Sequence, residues 1–161
     1  MKLQTEISIP ALAPPLRYDE ASLLLGSCFS EAIGRRMQRL RFDCTVNPFG
    51  ILFNPQSVLQ ALARLAEFRP FEAGELQETP GGAYCSWMHH GRFAAPCPDE
   101  ALRLMNGEYR PAAERFAHLR TLLLTWGTSY LYILRSSGEV VANCHKFPAS
   151  LFLRRRMTVE E

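Results

Sequence analysis

A serine at the junction between an apolar run and a helical pattern is the residue best placed for chemistry. The run 22–25 is broken by Gly26 and Ser27. Such a run is typical of a strand buried on both faces of a parallel sheet, and the residue after it lies at the carboxyl edge, where ligands bind in open α/β folds. The following helix start offers free N–H groups and a positive dipole end, which stabilise an oxyanion. Ser27 is therefore a candidate nucleophile, and its simpler alternative role is that of a helix cap.

Other side chains that could react lie in sequence patterns that indicate catalysis or metal binding less specifically. Cys28 is a rival nucleophile at the same helix start, with burial in the core as the alternative. His145 follows a predicted hairpin and is a candidate general base, with a structural hydrogen-bonding role as the alternative. The spacing C-x3-H-H-x6-C over residues 85–97 fits no compact zinc pattern, so we expect no metal and no cofactor.

Hydrophobic spacing predicts the elements that position Ser27. A helix is predicted over 29–40, and two further strands over 42–46 and 121–126. Asn54 is predicted to cap a second helix that begins with Pro55.

The remaining chain is more irregular. Prolines and glycines over 69–98 predict a long connection with one short strand near 84–87. Two helical pieces are expected next, one capped by Asp99 and one from Pro111 to about residue 119. A hairpin is predicted around 136–138, and the basic run 154–156 is interpreted as a solvated helix end.

Size and composition limit the classes of protein. The 161 residues suit a single domain, 1–161, with an extended lead-in over 1–20. Apolar residues make up 47% and charged residues 21%, with a net charge of +2, which argues against disorder and against nucleic-acid binding by charge alone. There is no apolar run of membrane-spanning length and no secretory signal pattern, and the 5 cysteines include no C-x-x-C pair. We therefore expect a cytoplasmic protein that binds neither membrane nor nucleic acid.

Four separated blocks resemble the motifs of one known family, the GSCFA family, and they occur in that family's order. They are LLGSCFS at 24–30, VNPFGILFNP at 46–55, LTWGTS at 124–129 and VANCHK at 141–146. Ser30 stands where the family usually has alanine.

The family is similar to SGNH/GDSL-type esterases. The resemblance implies a flavodoxin-like, three-layer α/β/α fold around a parallel sheet, and hydrolysis of a small-molecule or carbohydrate-linked ester by Ser27. It also implies a set of oxyanion and substrate-binding residues, in which Ser129 replaces an asparagine of the related hydrolases; Asn143 is our own candidate for the missing amide. These residues are Asn47, Gly50, Gly127, Ser129 and Asn143.

One block of the SGNH pattern, Asp-x-x-His, does not occur in the sequence. His145 is the internal substitute for the base. The pattern T-x-x-E at 158–161 resembles the start of a helix, so we expect a domain that is incomplete at its C-terminus. Without its base a serine is a poor nucleophile. A non-catalytic ligand-binding or interaction domain, with a second copy of the chain as one candidate partner, therefore stays open.

Overall fold

The computed structural model describes residues 7–11 and 13–160. Part of the predicted lead-in and the last residue of the 158–161 pattern lie outside the described residues. The strands are β1 Ser22–Gly26, β2 Cys44–Val46, β3 Gln77–Glu78, β4 Tyr84–Cys85, β5 Thr121–Thr125, β6 Tyr130–Leu134, β7 Val140–Val141 and β8 Phe152–Arg156. The α-helices are α1 Cys28–Arg39, α2 Pro55–Glu67 and α3 Pro98–Phe116. None of the helices in the described residues has the length and apolar character needed to cross a membrane.

The three strands predicted from apolar runs form one parallel sheet. Its order is β2-β1-β5, with Leu24 beside Val46 and Gly26 beside Thr125. The carboxyl ends of the strands therefore meet at one edge, and Ser27 follows the central strand there. The prediction of an α/β protein with a parallel sheet is confirmed.

Strand β1 is buried along its whole length because helices supply apolar side chains to both of its faces. Leu23 and Leu25 belong to the main core cluster, which includes residues of α2 and α3. Leu24, one position out of phase, packs with Met37 of α1. Successive side chains of a strand point to opposite faces of the sheet, so the two sets lie on opposite faces of β1. Because both faces are buried, apolar residues follow one another without a polar residue between them.

Local capping chemistry sets the start of α2 as predicted. Asn54 accepts a hydrogen bond from the backbone N–H of Ser57 at 2.8 Å, and Pro55 occupies the first turn. Proline is tolerated there because its missing N–H would have had no acceptor within the helix.

The prediction of two helical pieces over 99–119 was wrong, because α3 is continuous and contains Pro111. Asp99 lies inside the first turn, and Cys97 is the capping residue. Pro111 removes the donor that would face the carbonyl of Gly107, and that glycine is exposed, so water can satisfy the carbonyl. The burial of Met105 and Tyr109 holds the helix together across this position.

A second, antiparallel sheet has the order β7-β6-β8. The predicted hairpin is confirmed as β6 and β7, but the prediction of a helix end at 154–156 was wrong, because these residues belong to β8. Backbone pairing with β6 overrides the basic composition, and the Arg154 guanidinium stacks 4.0 Å from the ring centre of Tyr130. The connection 69–98 is irregular as expected, with β3 and β4 as a short antiparallel pair.

A buried arginine ties α2 to the connection that follows it. Arg64 is 3% exposed, and its guanidinium donates to both carboxylate oxygens of Glu75 at 2.7 Å. It also donates to the carbonyls of Arg69 and Pro70. Burial acts to raise the pKa of Glu75, but the hydrogen bonds and charges around it, mainly those of Arg64, lower it overall.

We expect Glu75→Gln to lower the free energy of unfolding by about 2 kcal/mol at pH 7, because it leaves a buried guanidinium without its counter-charge. The figure is below that for a fully buried pair because Glu75 is 30% exposed. Since the pKa of Glu75 is lower in the folded state, the ionised pair stabilises the protein above the ordinary carboxyl pKa and loses this effect as the pH falls. Urea unfolding at pH 7 and pH 3 measures both effects.

Glu67→Gln is the matched control for this prediction. Its carboxylate lies 3.6 Å from Arg69 and both side chains are largely exposed, so little change is expected. Equal losses of stability in the two variants would contradict the assignment of Arg64 and Glu75 as a structural pair.

The outer edge of β5 is the surface where a second copy of the chain is expected. Within the described part of the chain β5 pairs only with β1, and Leu122 is 40% exposed. An open apolar edge favours strand-to-strand association. We expect the mass from light scattering to rise with protein concentration, and Leu122→Lys to suppress the rise. Leu59→Lys, on an exposed position of α2, is the control, and an equal effect of both changes would exclude the β5 edge as the contact.

Candidate active site at the carboxyl edge of the parallel sheet

Ser27 lies between the last residue of β1 and the first of α1, in extended conformation as the cap of the helix. Its Oγ accepts a hydrogen bond from the N–H of Phe29 at 3.3 Å, and the residue is 9% exposed. Gly26 has φ 133°, and a Cβ there would meet the carbonyl oxygen of Thr125 at 2.1 Å. The backbone that directs Ser27 to the sheet edge is therefore restricted to glycine at position 26.

Three hydroxyl groups form a chain at this edge. The Oγ1 of Thr125 lies 2.9 Å from the Oγ of Ser27 and 2.8 Å from the Oγ of Ser30. Ser30 donates to the carbonyl of Leu25 at 3.2 Å, and the N–H of Ser27 donates to Thr125.

The single proton of each hydroxyl fixes the direction of the chain. Ser30 gives its proton to the carbonyl of Leu25, so Thr125 is the donor to Ser30. Ser27 must then donate to Thr125. The proton of Ser27 is held against a neutral hydroxyl, and a base must replace Thr125 as its acceptor before Ser27 can attack a substrate.

Sequence reasoning did not select Thr125 as a site residue. Its contact with Ser27 spans 98 residues of sequence. The register of the parallel sheet indicates this contact, because Thr125, the last residue of β5, pairs with Gly26, the residue before the serine.

Asn47 follows the last residue of β2 and is 1% exposed. Its Oδ1 accepts the N–H of Gly26 at 3.0 Å, and its Nδ2 is buried without a partner in the described residues. Arg92 donates to its backbone carbonyl at 3.0 Å. Asn47 thus fastens the turn after β2 to the end of β1, and its amide does not face solvent.

The backbone N–H groups of the two glycines that were predicted to stabilise the oxyanion already donate hydrogen bonds to carbonyls of the protein. The N–H of Gly50 donates to the carbonyl of Asn47 at 2.7 Å, and that of Gly127 donates to the carbonyl of Phe53 at 2.8 Å. Ser129 is exposed, and its carbonyl accepts the N–H of Met157. The oxyanion role of these residues stays a prediction, and it requires that the N–H groups be released when substrate binds.

His145 is buried, and its ring bonds to a backbone carbonyl rather than to the hydroxyl chain. Its Nε2 lies 2.9 Å from the carbonyl of Ser86 and therefore carries the proton, since a carbonyl only accepts. Burial lowers the pKa of His145, while backbone hydrogen bonds to Ser86 and His89 oppose the change. In the described residues the hydroxyl of Ser27 bonds to Thr125 and Phe29 rather than to a histidine.

Asn143 and His145 are brought together at a cavity of about 350 Å³. The Oδ1 of Asn143 accepts the N–H of His145 at 2.9 Å. The cavity lies between the turn after β3, the helical turn Gly91–Phe93 and the turn after β7. Of the predicted site residues, Asn143 and His145 thus meet at this cavity, and Asn47 bonds to Gly26, the residue before Ser27 at the sheet edge.

The described residues contain no group of three or more His, Cys, Asp or Glu side chains that could hold a metal ion. Cys28 is exposed at the start of α1, so the expected alternative of burial in the core was wrong, whereas Cys85 is buried. Burial raises the pKa of the Cys85 thiol to about 11.

These features define an α/β protein with a serine at the crossover from the central parallel strand to the first helix. The family model of the GSCFA family matches residues 22–161, so the chain belongs to the GSCFA family. The match confirms the resemblance that the four sequence blocks carried. No curated protein and no solved structure matches the chain.

Proposed function

We propose that this chain carries the nucleophile of a serine ester hydrolase that acts on a small-molecule or carbohydrate-linked ester. The observation that carries the proposal is the placement of the Ser27 hydroxyl at the start of α1, at the edge where the carboxyl ends of β1, β2 and β5 meet. The packing of α1 against one face of β1 and of α2 and α3 against the other supports a three-layer, SGNH-type fold. The five unbridged cysteines support a cytoplasmic location.

In the proposed reaction Ser27 Oγ attacks the ester carbonyl and passes its proton to a base. The alcohol leaves with a proton from that base, and water then hydrolyses the acyl-serine. The positive end of α1 stabilises the oxyanion, because the N–H of Cys28 has no acceptor within the helix. His145 is the proposed base. Its ring must leave the carbonyl of Ser86 and carry its proton on Nδ1 instead of Nε2, so that Nε2 is free to accept the proton of Ser27.

Covalent labelling with a fluorophosphonate serine probe tests the nucleophile directly. We expect mass spectrometry to find Ser27 labelled faster than Ser129 and Ser137, which are exposed serines of the same chain. Labelling of Ser27 at or below the rate of these two serines would exclude it as an activated nucleophile.

The second candidate function is ligand binding without turnover. It is favoured because the N–H groups of Ser27, Gly50 and Gly127 already donate hydrogen bonds to acceptors within the protein. In the described residues, moreover, no histidine hydrogen-bonds to Ser27. Saturable binding by a chain with no measurable hydrolysis distinguishes this function from the first.

A further inference from the structure

We propose that the cavity beside Asn143 and Lys146 binds the anionic group, carboxylate or phosphate, of a small-molecule ligand. Its volume of about 350 Å³ lies within the range of small-molecule sites. The cavity shares Asn143 and His145 with the proposed ester-hydrolase site, but the inference concerns anion binding, which is measured without turnover and holds whether or not the protein hydrolyses esters.

The charge of the cavity wall favours an anion. Lys146 is the only residue with a formal charge at pH 7 among those that line the cavity, and no aspartate or glutamate lines it. Lys146 is exposed and forms no ion pair with the described residues, whereas many arginines of the chain are paired. An unpaired ammonium on a concave wall attracts a small anion.

Asn143 adds a hydrogen-bond donor to the same wall. Its Oδ1 is used by the N–H of His145, and its Nδ2 donates no hydrogen bond within the described residues. Nδ2 lies 3.7 Å from the point that a Cβ on Gly91 would occupy. Gly91 therefore has no steric need to be glycine, and the missing side chain leaves space next to the donor.

The turn that presents Lys146 is held in an uncommon backbone conformation. His145 has φ 45° and Lys146 has φ 62°, in the left-handed region that few residues other than glycine adopt. The hydrogen bond from His145 to Ser86 and the bond between the N–H of Phe147 and the carbonyl of Cys144 hold the turn. Strained turns of this kind concentrate at ligand sites.

The test is a titration of the 161-residue chain, monitored by two-dimensional NMR. Succinate and inorganic phosphate are the anionic probes, and succinamide is the neutral probe of similar shape. We expect saturable shifts of the Gly91 and Asn143 amides with at least one anionic probe and none with succinamide. The response to each anion shows whether a carboxylate or a phosphate is preferred.

Charge variants assign the binding to Lys146. Lys146→Gln is expected to weaken binding about fivefold, which is the effect of one exposed ion pair. Lys146→Arg is expected to restore it. Arg110→Gln removes the same charge from an exposed position outside the cavity and should leave the affinity unchanged.

Two further variants separate this inference from the proposed hydrolysis. Gly91→Ala fits the backbone and narrows the cavity, so it should weaken binding, and Ser27→Ala should leave it unchanged. Three results would each overturn the proposal: succinamide binds as well as the anions, the shifts do not saturate, or Lys146→Gln and Arg110→Gln have equal affinities. None of these results bears on the role of Ser27 as nucleophile.

Discussion

Replacement of Ser27 by alanine is expected to lower the turnover of p-nitrophenyl acetate by about a thousandfold or more, because the reaction loses its nucleophile. The change also removes the cap of α1, which costs about 1 kcal/mol of stability. Initial rates are therefore measured below the unfolding transition of the variant, with the folded fraction determined by circular dichroism.

Ser30→Ala is the matched control, because it deletes a hydroxyl from the same chain and leaves Ser27 in place. We expect Ser30→Ala to keep most of the activity. Unchanged turnover in Ser27→Ala, or equal losses in the two variants, would contradict a nucleophilic role for Ser27.

Thr125→Val tests whether the hydroxyl chain orients the nucleophile. The variant keeps the shape of the side chain but removes the acceptor used by both the N–H and the hydroxyl of Ser27. A positioning role predicts a smaller loss of kcat than Ser27→Ala causes, and recovery in Thr125→Ser. A pure packing role would give Thr125→Ser and Thr125→Val the same kcat.

Local chemistry explains which parts of the fold were predictable. The caps Ser27 and Asn54 act within three residues of themselves. Strand β1 is apolar because both of its faces are buried, whereas β5, with a similar apolar run, is only partly buried. The errors occur where tertiary contacts override local preference. Pro111 is kept inside α3 by the burial of its neighbours, and β8 is a strand because β6 supplies its backbone partners.

The site was only partly predictable for a related reason. The position of Ser27 follows from the order strand, glycine, helix, which is local. The proton of Ser27 is accepted by Thr125, which is 98 residues away in the sequence. The ring of His145 is held by the carbonyl of Ser86, which is 59 residues away. No local sequence pattern encodes either contact. The sequence therefore predicts which residues have reactive side chains and does not predict which groups they contact.

His89 carries the largest expected effect on stability. It is 0% exposed, and its ring contacts the rings of Phe49, Phe71 and Phe93, with centroids between 4.4 and 5.3 Å away. Neither ring nitrogen has a partner in the described residues. Burial lowers the pKa of His89 to about 3, and the charges of His145 and Arg64 act in the same direction.

The pH dependence follows from the difference between the folded and unfolded pKa. Between the ordinary histidine pKa of about 6.5 and the folded value of about 3, the unfolded chain binds a proton that the folded chain does not. The contribution of His89 to stability therefore falls as the pH falls through this window. At pH 4 the loss amounts to about 3 kcal/mol relative to pH 7.

His89→Phe is expected to remove this loss, since phenylalanine does not titrate. At pH 7 the deletion of an unpaired buried N–H stabilises by about 1–2 kcal/mol, and the larger ring offsets part of that gain. The difference in the free energy of unfolding between variant and parent should then widen by about 3 kcal/mol between pH 7 and pH 4. Urea unfolding at pH 7, 5 and 4 measures this difference.

His118→Gln is the control, because it removes an exposed histidine that follows α3 and lies outside the buried aromatic cluster. Parallel profiles for the parent and His89→Phe would mean that His89 is protonated in the folded state and has an acceptor. The acid sensitivity of the fold would then lie with its carboxylates, of which Glu75 has its pKa lowered by Arg64, and Glu75→Gln would flatten the profile instead. The two variants thus assign the acid sensitivity either to a buried neutral imidazole or to a partly buried ion pair.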